Sequence, residues 1–372
     1  MKIFFYLPNV ESGGAEKMII ALANEISDRG EDVTLILGLA EGGFLSEISG
    51  KVKIIELGTL SVLKSVFKLF SRVFVENPDI LCVTKSHINT TVSLFAPFLK
   101  NTKIVLREAN TPSVEYMYAG YYGKAIMLLG KLTYKLSAKY IGVSEGVSKD
   151  MTKFYGIKKE NVKTIYNPVV SSELYKLSME NLTHPFFEER VKDANVFVFV
   201  AVGRLMKQKD YPTMIESFHR AHIKNNKIRL MILGRIEKSN IDYTNVIKKI
   251  DNYKLTNFID FIGFVGNPFK YLSKANCFIQ TSLFEGLPGT LVQGLALKKN
   301  IIATNCKSGP NEVLNYGEYG TLVEIGNVEQ ISEEMLNYSK GKTNPIADDG
   351  FINQFTSVVS TDKYLNMFKS LI

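Results

Sequence analysis

The sequence predicts an α/β protein built from two doubly wound domains, each with a parallel sheet. Three observations lead to this fold class. The chain has 372 residues, which exceeds one typical hydrophobic core. Short apolar segments rich in Ile, Val and Phe alternate with helical patterns, as in parallel sheets covered on both faces. A polar stretch with two prolines separates two such series of segments.

The first series of strands predicts an N-terminal Rossmann-like domain over residues 1–167. Its apolar segments are KIFFYL, DVTLIL, VKIIEL, DILCVT, KIVLRE and KYIGV. Helical patterns separate them. One of these patterns, AEKMIIALANEISDRG, ends at Gly30, and glycine is common just after a helix C-terminus.

The second series predicts another Rossmann-like domain over residues 168–355. The polar stretch before it carries Pro168 and Pro185 and has only a weak strand at its start, so we place the hinge near Asn167–Pro168. The apolar segments that follow are VFVFVAVG, IRLMILG, FIDFIGF, NCFIQT, NIIAT and GTLVEI. A C-terminal helix over residues 356–372 is expected to pack back toward the first domain. The two domains should face each other across a cleft, with ligands beyond the carboxyl ends of the strands.

Composition and charge restrict the function classes. The 45% apolar and 22% charged content is that of a globular protein, and no run of 18 apolar residues predicts a spanning helix. The three cysteines and four histidines are scattered, which indicates a reducing cytosol and no zinc site. The net charge of +8 favours an anionic partner. It is not gathered with aromatic residues into a stripe, so nucleic-acid binding is not expected.

Two segments at predicted strand ends carry groups suited to phosphate. VFVFVAVGRLMKQKD ends a strand at Gly203 and places Arg204 and Lys209 in the next loop, where two cations can clamp a diphosphate. FEGLPGTLV places a turn directly before a helix, whose first N–H groups face outward with a positive dipole. Those N–H groups belong to Gly289, Thr290 and Leu291. Loop cations and helix starts are also common structural features, so neither segment is specific alone.

A third candidate lies in the first domain, where LPNVESGGAEKM leads from the first strand through Gly13–Gly14 into a helix. A glycine pair at such a turn lets backbone approach a phosphate closely. The pattern is not Gly-x-Gly-x-x-Gly, and no acid follows at the end of the next strand. A nicotinamide cofactor is therefore not predicted.

Taken together, these segments resemble the retaining GT-B glycosyltransferases of family four, which transfer sugars from nucleotide diphosphate donors. The resemblance covers nearly the whole chain, and the order of its pieces is more specific than any one of them. The pieces are SGGAEKMIIALANEISDRGEDVTLI, IYNPV, VGRLMKQKD, FIGF, SLFEGLPGTLVQGLA and SGPNEVLNYGEYGTLVEIGNVEQI. The resemblance implies a transferase that needs no metal or other cofactor. It also implies a UDP-sugar donor, of hexosyl or N-acetylhexosaminyl type, and a cell-surface glycan acceptor on a polyprenyl diphosphate.

The resemblance also implies roles for individual residues. Arg204 and Lys209 match the cations that neutralise the donor diphosphate, and Glu285 matches the acid that holds hydroxyls of the donor sugar. These three are the candidate catalytic residues. Gln293 stands where a second Glu binds the ribose hydroxyls in the family. Gly14 matches the glycine that lets the first domain close on the phosphates.

One departure from the family concerns the end of the fifth strand, where many relatives carry a histidine beside the donor sugar. Here the segment is IVLREANTPS, with Ala109 or Asn110 in that place. We expect sugar or acceptor contacts from Asn110, from the neighbouring Glu108 or from His87 after the preceding strand. The family mechanism usually lets the donor phosphate accept the acceptor's proton, so the missing histidine does not exclude catalysis.

Two other function classes stay open at this point. A nucleotide-sugar epimerase shares the two-domain fold, although its cleft should collect more acids and histidines. A non-catalytic partner subunit is suggested by Gln293 and Ala109, both of which depart from the family pattern. Retention of Glu285, Arg204 and Lys209 together favours an active enzyme.

Two helical segments of the first domain carry basic stripes without acids. SVLKSVFKLFSRVFVENPD places three cations within about 80° of one another on a helix. They are Lys64, Lys68 and Arg72. YYGKAIMLLGKLTYKLSAKY repeats the pattern with Lys124, Lys131, Lys135 and Lys139. We expect a cytoplasmic protein docked peripherally on anionic lipid at the cytoplasmic face of the inner membrane. The alternative is that the lysines only contact water.

Overall fold

The computed structural model describes residues 1–11, 13–235 and 241–372, and these residues form two compact units. The first unit consists of Met1–Val169 and Gln354–Ile372, and the second of Val170–Asn353. Each unit contains one parallel sheet with helices between successive strands. The predicted fold class, two Rossmann-like α/β domains, is confirmed.

The first unit has a seven-stranded sheet in the order β3-β2-β1-β4-β5-β6-β7. All its neighbouring strands are parallel. The strands are β1 (Lys2–Leu7), β2 (Asp32–Leu37), β3 (Lys53–Glu56), β4 (Ile80–Thr84), β5 (Lys103–Glu108), β6 (Lys139–Gly142) and β7 (Val162–Thr164). The order changes direction between β1 and β4. Ligands of such sheets bind beyond the carboxyl ends of the strands at this switch point.

Helices of the first unit connect these strands, and one more comes from the C-terminus. They are α1 (Gly14–Asp28), α2 (Val62–Glu76), α3 (Ser86–Ser93), α4 (Pro112–Tyr118), α5 (Tyr121–Thr133), α6 (Glu145–Tyr155) and α16 (Ser357–Lys369). The last of these, α16, packs against α1 and inserts Tyr364 and Phe368 into the core. The ring centroid of Phe368 lies 6.5 Å from that of Phe5 on β1. The C-terminal segment is thus part of the first unit.

The second unit has a six-stranded parallel sheet in the order β10-β9-β8-β11-β12-β13, which changes direction between β8 and β11. Its strands are β8 (Phe197–Val202), β9 (Ile228–Leu233), β10 (Ile259–Gly263), β11 (Cys277–Gln280), β12 (Asn300–Thr304) and β13 (Thr321–Val323). Its helices are α7 (Ser172–Ser178), α8 (Pro185–Lys192), α9 (Tyr211–Lys224), α10 (Ile241–Asn252), α11 (Phe269–Lys274), α12 (Gly289–Ala296), α13 (Pro310–Val313), α14 (Val328–Ser339) and α15 (Asp349–Asn353).

One helix ends earlier than the sequence predicts. The basic stripe that includes Lys139 requires a helix from Tyr121 to Lys139, but α5 stops at Thr133. After a short 3-10 turn the chain joins the sheet, and Lys139 is the first residue of β6, paired with Val105 of β5. The placement of Lys139 on a helical stripe is therefore wrong. Sheet pairing decides its conformation, because β6 completes the hydrogen bonds of β5.

Candidate active site

The centre of the candidate site in the second unit is an ion pair between Lys209 and Glu285. The distance from Lys209 Nζ to Glu285 Oε1 is 2.6 Å, and the two side chains are only 17% and 8% exposed. Lys209 ends a 3-10 turn after β8, and Glu285 follows β11. The structure thus brings together two of the three predicted catalytic residues, 76 positions apart in sequence. The third, Arg204, is exposed on the loop that carries Lys209.

Backbone and side-chain hydrogen bonds hold the two loops together around this ion pair. The Leu283 N–H donates to the Gln208 carbonyl at 2.8 Å, and Gln208 Nε2 donates to the Phe284 carbonyl at 2.8 Å. The Thr281 hydroxyl donates to the Lys209 carbonyl at 2.9 Å. Each loop is therefore fixed by the other, and the ion pair rests on a rigid base at the switch point of the sheet.

Close backbone approaches explain two glycines at this edge. Gly234, which follows β9, has φ +150°, and a Cβ there would lie 2.0 Å from the Gly203 carbonyl oxygen. Gly309 has φ +91°, and a Cβ there would lie 2.5 Å from Pro288 Cδ. Only glycine fits at either position. The loops after β9 and β12 can therefore pack directly against the segments that hold the ion pair.

The turn after Glu285 leads into α12, which begins at Gly289. The Leu291 N–H donates to the Pro288 carbonyl at 3.1 Å, so this amide is not one of the outward-facing donors that the sequence predicts. The tight first turn of the helix uses it internally. The amides of Gly289 and Thr290 have no backbone acceptor among the described residues. Gln293, on the same helix, is partly exposed.

The first unit presents a second charged pair at its own switch point. Lys85 follows β4 with φ +83°, and its Nζ lies 2.6 Å from Oε1 of Glu16 in the first turn of α1. The Glu16 side chain folds over Gly13, where a Cβ would lie 2.1 Å from Oε2. Gly14 has open space, because a Cβ there would meet nothing within 4 Å. Sequence reasoning singled out Gly14 but missed this pair, because its members are far apart in sequence and share no motif.

The three residues proposed for sugar or acceptor contacts differ in exposure. His87 and Asn110 are partly exposed, whereas Glu108 is 1% exposed. Burial, and next the charge of Lys85, lower the pKa of His87, so its ring is neutral at pH 7. Glu108 is hydrogen-bonded to the buried side chains of Ser86, Asn89 and Tyr134 instead of facing open space. Its assignment as a direct substrate contact is therefore wrong in this structure.

Comparison with known proteins identifies the family. The model described as Glycosyltransferase Family 4 matches residues 12–173, and the model described as Glycosyl transferases group 1 matches residues 184–346. An uncharacterized glycosyltransferase of Methanocaldococcus jannaschii is 31% identical over 300 residues, which cover 75% of this chain and 71% of that protein. The chain belongs to glycosyltransferase family 4.

Further similarities give the glycosyltransferase a fold and a biochemical context. A Campylobacter jejuni enzyme is 27% identical over 63% of this chain and 60% of its own length. Its name is N-acetylgalactosamine-N,N'-diacetylbacillosaminyl-diphospho-undecaprenol 4-alpha-N-acetylgalactosaminyltransferase. The crystal structure of HepE from Anabaena with UDP and glucose superimposes with a TM-score of 0.79 at 19% identity, over 100% of both chains. The predicted GT-B fold is confirmed.

The family assignment decides among the function classes that the sequence left open. The glycosyltransferase prediction is confirmed by both family models and by the Methanocaldococcus jannaschii relative, which favours it over an epimerase. The intact Lys209–Glu285 pair argues against a decayed, non-catalytic subunit. Among the described residues, no group of three or more His, Cys, Asp or Glu side chains is placed to hold a metal ion.

The exposed face of α5 in the glycosyltransferase is apolar, which differs from the predicted basic stripe. Tyr121 is 97% exposed and Leu132 is 73% exposed. Other exposed apolar side chains of α5 and of the turn after it are Tyr122, Leu128, Leu129 and Leu136. The buried side of the helix includes Gly130, which packs closely on neighbouring side chains. Met127, Gly130 and Thr133 thus face the protein, and several large apolar side chains face outward.

The lysines near α5 are distributed around this apolar face. Lys135 is exposed, and Lys131 Nζ lies 4.9 Å from the centre of the Phe154 ring. Lys139 is only partly exposed, and its Nζ donates to Asn161 Oδ1 at 2.8 Å. On α2 the predicted cations are all exposed, namely Lys64, Lys68 and Arg72. Of these, Lys68 also donates from Nζ to the Leu57 carbonyl at 2.6 Å. None of the helices in the described ranges is long and apolar enough to cross a membrane.

Replacing Gln293 by glutamate is expected to tighten UDP binding about fivefold. A carboxylate accepts a stronger hydrogen bond from a ribose hydroxyl than an amide does, by about 1 kcal/mol. Because Gln293 is partly exposed, the change should leave Tm unaltered. Titration calorimetry with UDP tests this, with Gln293→Ala as the control that removes the acceptor. Weaker UDP binding by Gln293→Glu would show that Gln293 has another role.

Proposed function

We propose that the glycosyltransferase moves a hexosyl or N-acetylhexosaminyl group from a UDP-sugar to a glycan on a polyprenyl diphosphate. In this proposal the product serves cell-surface polysaccharide synthesis and keeps the anomeric configuration of the donor. The observation that carries the proposal is the largely buried Lys209–Glu285 pair at the switch point of the second unit. It combines a cation for a phosphate with an acceptor for hydroxyl groups.

On the donor side, the role proposed for each residue follows from the chemistry of its side chain or amide. Lys209 and Arg204 neutralise the diphosphate, and their charge matters most as the leaving group gains negative charge. Glu285 accepts hydrogen bonds from hydroxyls of the donor sugar. The amides of Gly289 and Thr290 supply neutral donors to a phosphate oxygen. Gln293 accepts from a ribose hydroxyl.

The proton of the acceptor hydroxyl needs a destination in this scheme. No carboxylate of the first unit is proposed for that task, since Glu108 is buried and Glu16 is paired with Lys85. We assign the proton to the leaving phosphate on the face that the acceptor attacks, and this geometry retains the configuration. His87 and Asn110 are proposed to position the acceptor, since both are partly exposed, His87 at the start of α3 and Asn110 just after β5.

The acceptor proposal is supported by the name of the Campylobacter jejuni relative, which places its substrate on diphospho-undecaprenol. The experiment is to incubate the protein with a panel of UDP-sugars and a synthetic polyprenyl-diphosphate-linked sugar. Proton NMR of the product should show an α linkage formed from an α-linked donor. A β linkage would overturn retention, and transfer only to lipid-free glycans would overturn the carrier.

We further propose that the first unit docks peripherally on the cytoplasmic face of the inner membrane through α2 and α5. The support is a surface with two properties: exposed cations on α2, and exposed apolar side chains on α5. The helix α3 packs against both. Apolar side chains enter the interface of a bilayer while cations contact anionic headgroups. In this proposal, apolar residues such as Leu132 make the main contribution of α5 to membrane binding, and a lysine stripe does not.

Sedimentation with liposomes tests the docking proposal. The protein should bind vesicles that contain anionic lipid, and binding should weaken as salt rises. Two variants should each lower the bound fraction severalfold: Leu129→Asp with Leu132→Asp on α5, and Lys64→Glu with Lys68→Glu on α2. The matched control is the same charge reversal at Lys149 and Lys153 on α6, which should bind normally. Equal binding to neutral vesicles, or no loss in either variant, would favour a soluble acceptor.

A further inference from the structure

A cluster of buried polar groups lies behind the carboxyl ends of β4 and β5. Its centre is Glu108, the last residue of β5, which is 1% exposed. The Ser86 hydroxyl lies 2.9 Å from Glu108 Oε2 and 2.7 Å from Oε2 of Glu115 on α4. The other oxygen of Glu108 accepts from Asn89 Nδ2 at 3.0 Å and from the Tyr134 hydroxyl. One hydroxyl thus bridges two carboxyl groups.

The two hydrogen bonds of this bridge need two hydrogens, but a serine and two ionised carboxylates contain only one. A serine hydroxyl has one hydrogen and can donate it to only one of two oxygens. The other carboxyl must therefore donate to the Ser86 oxygen, which requires that it be protonated. The shorter contact is to Glu115, so the consistent arrangement has Glu108 donating to Ser86 and Ser86 donating to an ionised Glu115.

Burial and the neighbouring charges also favour a protonated Glu108 and an ionised Glu115. Burial, and next the charge of Glu115, raise the pKa of Glu108 to about 7. Burial also raises the pKa of Glu115, although the Ser86 hydrogen bond and the positive charge of Lys85 oppose this. The other titratable groups around the cluster are His87 on α3, Tyr134 on the 3-10 turn and Tyr155 on α6. Lys85, which is paired with Glu16, is the cation that acts on Glu115, and its charge favours Glu115 over Glu108 as the ionised partner.

We propose that Glu108, Ser86 and Glu115 share one proton in addition to the hydrogen of the serine hydroxyl, and that this proton positions the segments that carry His87 and Asn110. Ser86 directly precedes His87, and Glu108 lies two residues before Asn110. The cluster therefore connects the start of α3, the end of β5 and the first turn of α4. Loss of the proton places two carboxylates on one hydroxyl and drives these segments apart. The three are positioning residues, not catalytic ones.

The role in transfer rests on the proposed function, but the shared proton does not, so the two are tested separately. Infrared spectroscopy detects a protonated carboxyl by its carbonyl stretch. The wild-type protein should show that band at pH 6 and lose it by pH 8.5. Glu108→Gln should lack the band at both pH values, because the amide N–H takes over the bond to Ser86 and Glu115 stays ionised. Absence of the band from the wild-type protein at pH 6 would overturn the proposal.

The positioning role is tested by amide hydrogen exchange and thermal unfolding across the same pH range. Because the pKa of Glu108 is raised, the stability it contributes is present at low pH and is lost as pH rises through about 7. The difference in Tm, that of Glu108→Gln minus that of the wild type, should increase by roughly 5 °C from pH 5.5 to pH 8.5. Exchange at residues 85–90 and 109–115 should speed up above pH 7 in the wild type, after correction for intrinsic rates, and not in the variant.

The control is Glu56→Gln, which changes an exposed acid at the end of β3 in the same unit. Its Tm should follow that of the wild type at every pH. If transfer is observed, kcat/KM of the wild type should fall above pH 7 while that of Glu108→Gln stays flat. If Glu108→Gln is destabilised equally at every pH, the cluster contributes only packing and hydrogen bonds, and it has no pH-dependent positioning role.

Discussion

Replacing Lys209 by methionine is expected to lower kcat by about 10²–10³-fold, the cost of losing one preorganised group that stabilises developing negative charge. Lys209 is 17% exposed and fixed by Glu285, so its charge acts in a site with little water. Methionine matches the lysine side chain as far as Cε and removes the charged amino group. Steady-state transfer or slow donor hydrolysis measures the effect. Turnover within a few-fold of wild type would end the assignment of Lys209 to the diphosphate.

The substitution also leaves Glu285 as a buried acid without its partner, which is costly by itself. The double variant Lys209→Met with Glu285→Gln separates the two effects through UDP affinity, which Glu285→Gln alone is expected to leave unchanged. If the loss arose only from the unpaired acid, the double variant should bind UDP as the wild type does. We expect its UDP binding to stay weak, because the cation that contacts the diphosphate is missing. Lys207→Met, on the same 3-10 turn and exposed, is the matched control and should retain activity.

Glu285→Gln is expected to lower kcat/KM by about 10²-fold, while the affinity for UDP stays unchanged. The amide keeps the shape of the side chain but gives up charge-assisted hydrogen bonds to the sugar, which are worth about 3 kcal/mol in total. UDP lacks the sugar, so its binding is the internal control. A parallel collapse of UDP affinity would mean that Glu285 holds the turn or contacts the nucleotide. Glu333→Gln, at an exposed position on α14, should match the wild type.

The strands were predictable because parallel sheets bury both faces, which leaves short continuous apolar segments in the sequence. Each quoted apolar segment corresponds to an observed strand, and KIFFYL and KIVLRE match β1 and β5 residue for residue. The end of α5 was not predictable from periodicity. Its continuation through Lys139 fits a helix, but pairing with β5 is a long-range interaction that the local pattern does not contain.

The candidate site was predictable where it lies in a motif and not where it depends on tertiary contacts. Arg204, Lys209 and Glu285 follow strands within recognisable segments. The pair formed by Lys85 and Glu16 joins two elements with no shared motif. The partners of Glu108 come from α3 and from the turn after α5, which are distant in sequence. The sequence shows only a polar residue at a strand end, and this suggested a residue that faces the cleft. The outward apolar face of α5 was not predictable, because helical periodicity distinguishes two faces of a helix but does not show which of them packs against the protein.

The most direct test of the central claim is a thermal-shift screen of UDP-sugars against the wild-type protein and Lys209→Met. The claim is that the second unit binds a nucleotide sugar through the Lys209–Glu285 pair. At least one UDP-sugar should raise the Tm of the wild type by several degrees, and the rise should largely vanish in Lys209→Met. A screen in which no nucleotide sugar stabilises the protein, or in which Lys209→Met responds as the wild type does, would contradict the account.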